Sequence, residues 1–212
     1  MRLQDRKGGA YEVLRGGMNH KTAPLEIRER LAVNAANLAS RAKQVRELVS
    51  LDEIVFPSTC NRVENLCDCA ERERSNRCAS SRPMRGDARP GAVLVLLRRL
   101  RAARHLFRVA AGLDSMVLGE TEIIGQVERA YDVALAAKLT GGTLNRVFQK
   151  AFRVVKEIRT HSGIGRGATS VSGVAVELAR RIFQHDLSKP SILIMAPARS
   201  VRLDANCFIV SA

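Results

Sequence analysis

The chain has 212 residues, 46% hydrophobic and 26% charged, which is enough apolar material for a buried core and excludes wholesale disorder. At about 150 residues per domain the length predicts one to two domains. No apolar run approaches the roughly 18 residues of a membrane span, and the first twenty residues lack the apolar stretch of a secretory signal, so a cytoplasmic protein is expected.

Thirty-five Lys and Arg against 21 Asp and Glu leave a net charge of +14, a balance that suits a polyanionic partner. The surplus is uneven. Residues 65–104 hold ten Arg, no Lys and four acids, so nearly half of the net charge falls in one stretch. Five Cys in a reducing compartment predict no disulfide framework.

Residues 1–10 form a polar lead, followed by a short predicted strand over 11–14 that ends at Gly16-Gly17. A helical turn is predicted over 26–31 after Pro24, and a helix over 35–48, rich in Ala, Leu, Arg and Gln. The β-rich run DEIVF at 52–56 reads as a strand meeting a loop at Pro57. From 65 to about 103 the chain turns to clustered Arg and Ser with three Cys and two Pro. Its apolar run at 93–97 fits a strand or part of a helix, and the rest is given no place in a packed core.

Helical pattern resumes at 105–111 and again at 122–138, where Ile123, Val127, Ala130, Tyr131 and Ala134 share one face. After Gly141-Gly142, Thr143 is the predicted N-cap of a helix reaching 161, striped by Leu144, Val147, Phe148, Ala151, Val154, Val155 and Ile158. A glycine-rich loop (Gly163, Gly165, Gly167), a helix over 170–184 and a strand over 191–195 complete the pattern. The class is α+β: a small sheet with helices, followed by a mainly helical half.

Several segments could carry chemistry. Cys60 lies in STCNR beside Arg62, where a guanidinium or a loop of backbone N–H groups favours the nucleophilic thiolate. By itself a lone loop Cys reads as a structural residue sooner than as a nucleophile. Asn19-His20-Lys21-Thr22 follows a glycine pair and could bind an anion or simply form a capping turn. Ser115, Glu120 and Gln126 sit between glycines and helix ends and could line a pocket, or mark two helices joined by a kink. Cys67 and Cys69 with Cys60 and Cys78 lack the paired spacing and the nearby His of a structural zinc site, so no metal is expected. SILIMAPARS at 191–200 lacks the Gly-x-Gly-x-x-Gly that admits a pyrophosphate.

Taken together, GMNHKTAPLEIRERLAV (17–33), STCNRVE (58–64), HLFRVAAGLDSMVLGETEIIGQVERAYDVA (105–134) and GTLNRVFQKAFRVVKEIRTHSGIGRGATSVSGVAVELA (142–179) resemble glutamyl-tRNA reductase, in the family's order and over about two-thirds of the chain. The resemblance implies that Cys60 attacks the aminoacyl ester of glutamyl-tRNA(Glu), giving a thioester that NADPH reduces to glutamate-1-semialdehyde for tetrapyrrole synthesis. It further implies that Thr59, Asn61 and Arg62 flank the substrate, with Arg62 suited to its carboxylate. His105 matches the family's activity-affecting His. Ser115, Glu120, Thr121, Glu122 and Gln126 match its glutamate-recognition segment, Thr121-Glu122 standing where members often have Pro-Gln. Glutamate-1-semialdehyde aminomutase is the implied protein partner.

The resemblance also sets expected bounds: an unmatched lead at 1–16, a catalytic-type domain at 17–187 with a divergent stretch at 65–103, and at 188–212 the truncated start of a Rossmann-like NADPH domain. Both departures are expected from a shifted reading frame. Without the NADPH domain the chemistry should stop at the thioester, which water could then hydrolyse. The alternatives are a tRNA- or partner-binding fragment without catalysis, or an inactive gene remnant.

Overall fold

The computed structural model describes residues 12–59, 61–69, 95–165 and 170–182. β1 (Glu12–Asn19) begins inside the expected lead and runs on through the glycine pair at which the predicted strand ends. The reason is close approach. Gly17 has φ +144°, and a Cβ there would stand 2.4 Å from the Val63 carbonyl oxygen of the neighbouring strand, so glycine is what lets the two backbones pair.

That neighbour, β3 (Arg62–Cys69), is buried at every residue and has no counterpart among the predicted elements. A strand buried on both faces lacks the simple alternation of a half-exposed one, and Arg62, Glu64 and Asp68 read locally as surface. Its second half falls in the stretch given no place in a core, yet Leu66, Cys67 and Cys69 are core residues. β2 (Glu53–Val55) matches the DEIVF run. Together with β4 (Leu97–Arg98), these strands form one sheet of order β2-β3-β1-β4, antiparallel throughout. The β1–β3 register runs from Glu12 opposite Cys69 to Asn19 opposite Arg62.

Six helices accompany the sheet among the described residues: α1 (Leu25–Leu31), α2 (Leu38–Val49), α3 (Leu100–Ala110), α4 (Glu122–Ala136), α5 (Gly142–His161) and α6 (Val171–Ile182). α3 starts five residues before the predicted helix and packs on β1, while α5 packs on β2 and β3. The core joins Leu14 and Met18 to Ile54, Val63, Leu106, Val127 and Phe148. Tyr131 stacks on Phe148 at 5.1 Å, and Phe152 meets Tyr131 edge-on.

The expected cap of α5 is replaced. Gly141 occupies the N-cap position without a side-chain bond. Instead the Glu53 carboxylate, reaching from β2, accepts the Thr143 and Leu144 amides at 3.0 and 2.8 Å. Thr143 thus donates through its backbone rather than capping with its hydroxyl. No helix among the described residues is long and apolar enough to cross a membrane. The predicted strand at 191–195 and the glycine-poor turn after it lie outside the described residues.

Candidate active site

The site is built where β3 begins. The Thr59 amide donates to the Arg62 carbonyl at 2.8 Å. Its hydroxyl oxygen accepts the Asn61 and Arg62 amides, each at 3.2 Å. A threonine that closes a turn on its own backbone in this way fixes the chain without outside help. Neighbouring segments fasten it further: the Ser58 hydroxyl oxygen accepts the Val33 amide at 3.0 Å, and the His20 amide donates to the Asn61 carbonyl at 2.9 Å. Arg28 of α1 donates to the Asn61 side-chain carbonyl at 3.4 Å. Cys60, between Thr59 and Asn61 in sequence, lies outside the described residues.

Arg62 and Glu64, two apart, share one face of β3. Gly17 of β1 stands opposite Glu64, so Arg15 is its diagonal neighbour. The Arg15 guanidinium donates to Glu64 Oε1, and Arg62 Nη1 donates to the same oxygen at 3.2 Å. From α3, His105 Nε2 stands 3.0 Å from Glu64 Oε2 and 3.2 Å from Oε1. Arg15, Arg62 and Glu64 are all nearly inaccessible to water.

A second carboxylate adjoins them. Arg62 Nη2 donates to the Asp114 carbonyl at 2.8 Å, with Nη1 3.5 Å from its carboxylate. Asn19 Nδ2 and Lys21 Nζ donate to the Asp114 oxygens at 3.2 and 2.8 Å. The Asn19–Lys21 segment therefore is a turn, closed by the Lys21 amide on Asn19 Oδ1 at 3.0 Å, whose lysine binds an internal anion. Three cations face two carboxylates in this cluster, leaving it net positive.

Burial alone would push the Glu64 carboxyl up, but the His105 hydrogen bond and the charges of Arg15 and Arg62 outweigh it and hold the group well below the usual carboxylate range. Asp114 behaves alike: burial raises it, and the Lys21 bond with the Arg62 charge brings it below its ordinary value. His20 is lowered by burial first and then by Lys21 and Arg62, so its ring stays neutral near pH 7.

The structure thus brings Thr59, Asn61, Arg62 and His105 together. Arg62 does not present an open fork. Both of its terminal nitrogens serve Glu64 and Asp114, and Nε is buried without a partner among the described residues. Ser115 follows Asp114 directly, and its hydroxyl is also buried with no partner there. Glu120 enters through its backbone, its carbonyl accepting Arg159 Nη2 at 2.7 Å. Thr121 and Glu122 are exposed at the start of α4, and Gln126 is half-buried within it.

Sequence reasoning missed Arg15, Glu64 and Asp114 as site residues. The available signal was the alternation Arg62-x-Glu64 directly after a strand-entry turn: two charges on one buried face require charged partners. Cys67 and Cys69 are core residues of β3, and among the described residues no cluster of His, Cys, Asp and Glu is disposed to hold a metal ion.

Residues 17–162 match the family model for the N-terminal domain of glutamyl-tRNA(Glu) reductase. The chain is 44% identical over 190 residues to the glutamyl-tRNA reductase of Akkermansia muciniphila, covering 88% of this chain and 56% of that one. It is 43% identical to that of Syntrophobacter fumaroxidans, covering 85% of this chain and 40% of the relative. The solved glutamyl-tRNA reductase from Methanopyrus kandleri superposes with a TM-score of 0.65 at 33% identity, over 80% of this chain and 39% of that one. The chain therefore spans about half the length, or somewhat less, of the relatives it matches.

Proposed function

Because this chain belongs to the glutamyl-tRNA reductase family, we propose that it performs the acyl-transfer half of that family's reaction on glutamyl-tRNA, with Cys60 as nucleophile. The Cys60 thiolate attacks the carbonyl carbon of the glutamyl ester. A carbon–sulfur bond forms, the carbon–oxygen bond to the terminal ribose breaks, and the tRNA leaves as an alcohol after taking up a proton. The observation that carries this reading is the family match across residues 17–162, which takes in the whole STCNRVE segment.

In this reading each neighbour has a role that the geometry supports. Thr59 closes the turn in which the nucleophile's sequence neighbours are held, and Asn61 is anchored to Arg28 and His20. Arg62, committed to Glu64 and Asp114, contributes a buried positive charge that favours a thiolate and draws in the substrate's carboxylate. The Ser115 hydroxyl, buried without a partner among the described residues, is the natural group to take a polar atom of the glutamyl moiety. Glu120, Thr121, Glu122 and Gln126, on the loop and helix that follow, complete the recognition segment in this reading.

NADPH, bound, would supply the hydride that converts the thioester to glutamate-1-semialdehyde in tetrapyrrole synthesis. The described residues do not fit it. Their sheet is antiparallel throughout, with no parallel strand–turn–helix unit to seat a pyrophosphate. The chemistry proposed for these residues therefore runs to the thioester and its hydrolysis by water. Glutamate-1-semialdehyde aminomutase is the partner the family implies, and the cytoplasm, where charged tRNA is made, is the proposed compartment.

The test follows glutamate release from glutamyl-tRNA by the purified chain and by Cys60→Ser, both checked for folding by circular dichroism. Release that requires Cys60 is the expected result. A folded chain that releases nothing overturns the enzyme reading.

One observation favours a second reading, a tRNA-binding module without turnover. Arg146, Lys150, Arg153 and Lys156 are all exposed on the outer face of α5. A groove of about 600 Å³ adjoins them, lined by Phe152, Arg153, Lys156 and Arg159 with Ile124 and Glu128. Such a row fits a phosphate backbone. Affinity for tRNA that falls steeply with salt and is unchanged in Cys60→Ser, without glutamate release, would favour it.

A further inference from the structure

We propose that Glu64 is the positioning residue of His105: its carboxylate holds the ring with the hydrogen on Nε2 and leaves Nδ1 as the atom that takes and returns the proton of acyl transfer. The inference deepens the acyl-transfer reading and rests on it for the reaction served, though not for the pair itself.

The Glu64 carboxylate is fixed before His105 meets it. Its backbone amide donates to the Pro57 carbonyl at 3.0 Å, and its Oε1 receives both Arg15 and Arg62. A carboxylate beside two guanidinium groups is ionised, and an ionised carboxylate only accepts hydrogen bonds. The histidine nitrogen facing it must therefore be the donor. His105 Nε2 lies within 3.2 Å of both oxygens, so the neutral ring carries its hydrogen there, and Nδ1 is left with a lone pair.

The ring has little freedom to exchange its two nitrogens. Ala102, Leu106 and Val109 seat α3 in the core, and the cavity beside the pair, lined by Pro57, Leu66, Leu106 and Val127 among others, is about 10 Å³. That is room for one water at most. Both guanidinium groups serve Oε1, and His105 is the donor that reaches Oε2, so the ring is held by the carboxylate oxygen the arginines leave open. The arrangement is that of a base oriented by a buried carboxylate. In the proposed step the thiol proton passes to Nδ1, and Nδ1 returns it to the ribose oxygen as the carbon–oxygen bond breaks.

The experiment reads the ring directly and the reaction separately. In the uniformly 15N-labelled chain, at a pH where the ring is neutral and with His105 assigned by its loss in His105→Gln, long-range proton–nitrogen spectra should show Nε2 protonated and Nδ1 unprotonated. In Glu64→Gln the two tautomers should mix, because the amide can donate as well as accept. A neutral ring that carries its hydrogen on Nδ1 in the native chain overturns the proposal, as does an unchanged tautomer in a folded Glu64→Gln chain. Glutamate release by Glu64→Gln should lose about ten- to a hundredfold in kcat with KM little changed, and Glu64→Asp, which keeps the charge, should recover part of it. A uniform loss in KM alone would make Glu64 a substrate-site scaffold and overturn the positioning role. If the native chain releases no glutamate, the acyl-transfer reading fails while the tautomer still decides the pair. If Glu64→Gln does not fold, the native spectrum and Glu64→Asp carry the test.

Discussion

Glu53 and Asp68 stand opposite one another in the β2–β3 register, yet among the described residues only Glu53 has its charge answered. Its two oxygens accept the first amides of α5, whereas neither buried oxygen of Asp68 has a partner of good hydrogen-bond geometry among the described residues. Burial, reinforced by the Glu53 and Asp52 charges and only partly offset by the nearby Thr143 hydroxyl, raises the Asp68 carboxyl to about 6.

The consequence is an unusual stability profile. A carboxyl raised on folding binds more protons in the native state, so its contribution is greatest below its ordinary value and is lost as pH climbs through about 6. The loss is of the order of 3 kcal/mol at most. Glu64 and Asp114, both lowered on folding, act in the opposite sense and in a more acid window, and their stabilisation disappears as pH falls below the ordinary carboxylate range. Urea midpoints should therefore rise from pH 7 to about 5 and fall below about 4. Asp68→Asn should flatten the upper limb, and an unchanged slope would show that Asp68 is not its source.

Glu53→Ala removes the cap of α5 and leaves two amides without their acceptor. A loss of about 1–2 kcal/mol is expected, read as a lower urea midpoint. Glu53→Gln, which keeps one acceptor oxygen, should lose less.

Gly17→Ala places a Cβ 2.4 Å from the Val63 carbonyl oxygen at φ +144°. The strands must part where Arg15 and Glu64 meet, so the cost should be about 3 kcal/mol or more, visible as a fall of many degrees in Tm. Gly163→Ala, where a Cβ meets nothing within 4 Å, is the control.

Lys150→Glu with Arg153→Glu reverses two exposed charges on the outer face of α5. If tRNA lies there, its affinity should drop, and the slope of log K against log salt should shrink by about one for each phosphate no longer neutralised. The same variant should leave thermal stability within about 0.5 kcal/mol of the native chain, as exposed substitutions do.

The apolar rhythm of residues 122–138 and 143–161 is enough to place α4 and α5, because a helix face is written in neighbours three and four apart and needs nothing distant to be read. The order of the motif segments likewise points to the family without any coordinate. β3 is not legible in this way. Its pairing with β1 joins residues far apart in the chain, and its charges look like surface until Arg15, His105 and Asp114 arrive from β1, α3 and the loop after α3. The cap of α5 escapes a local reading for the same reason: Thr143 is the nearby candidate, whereas Glu53 comes from 90 residues away. Helix faces and turn chemistry are local and follow from sequence. Which buried charge answers which is a long-range matter that strand register and helix docking decide, because an ion pair away from water persists only where the whole fold brings its partners within bonding distance.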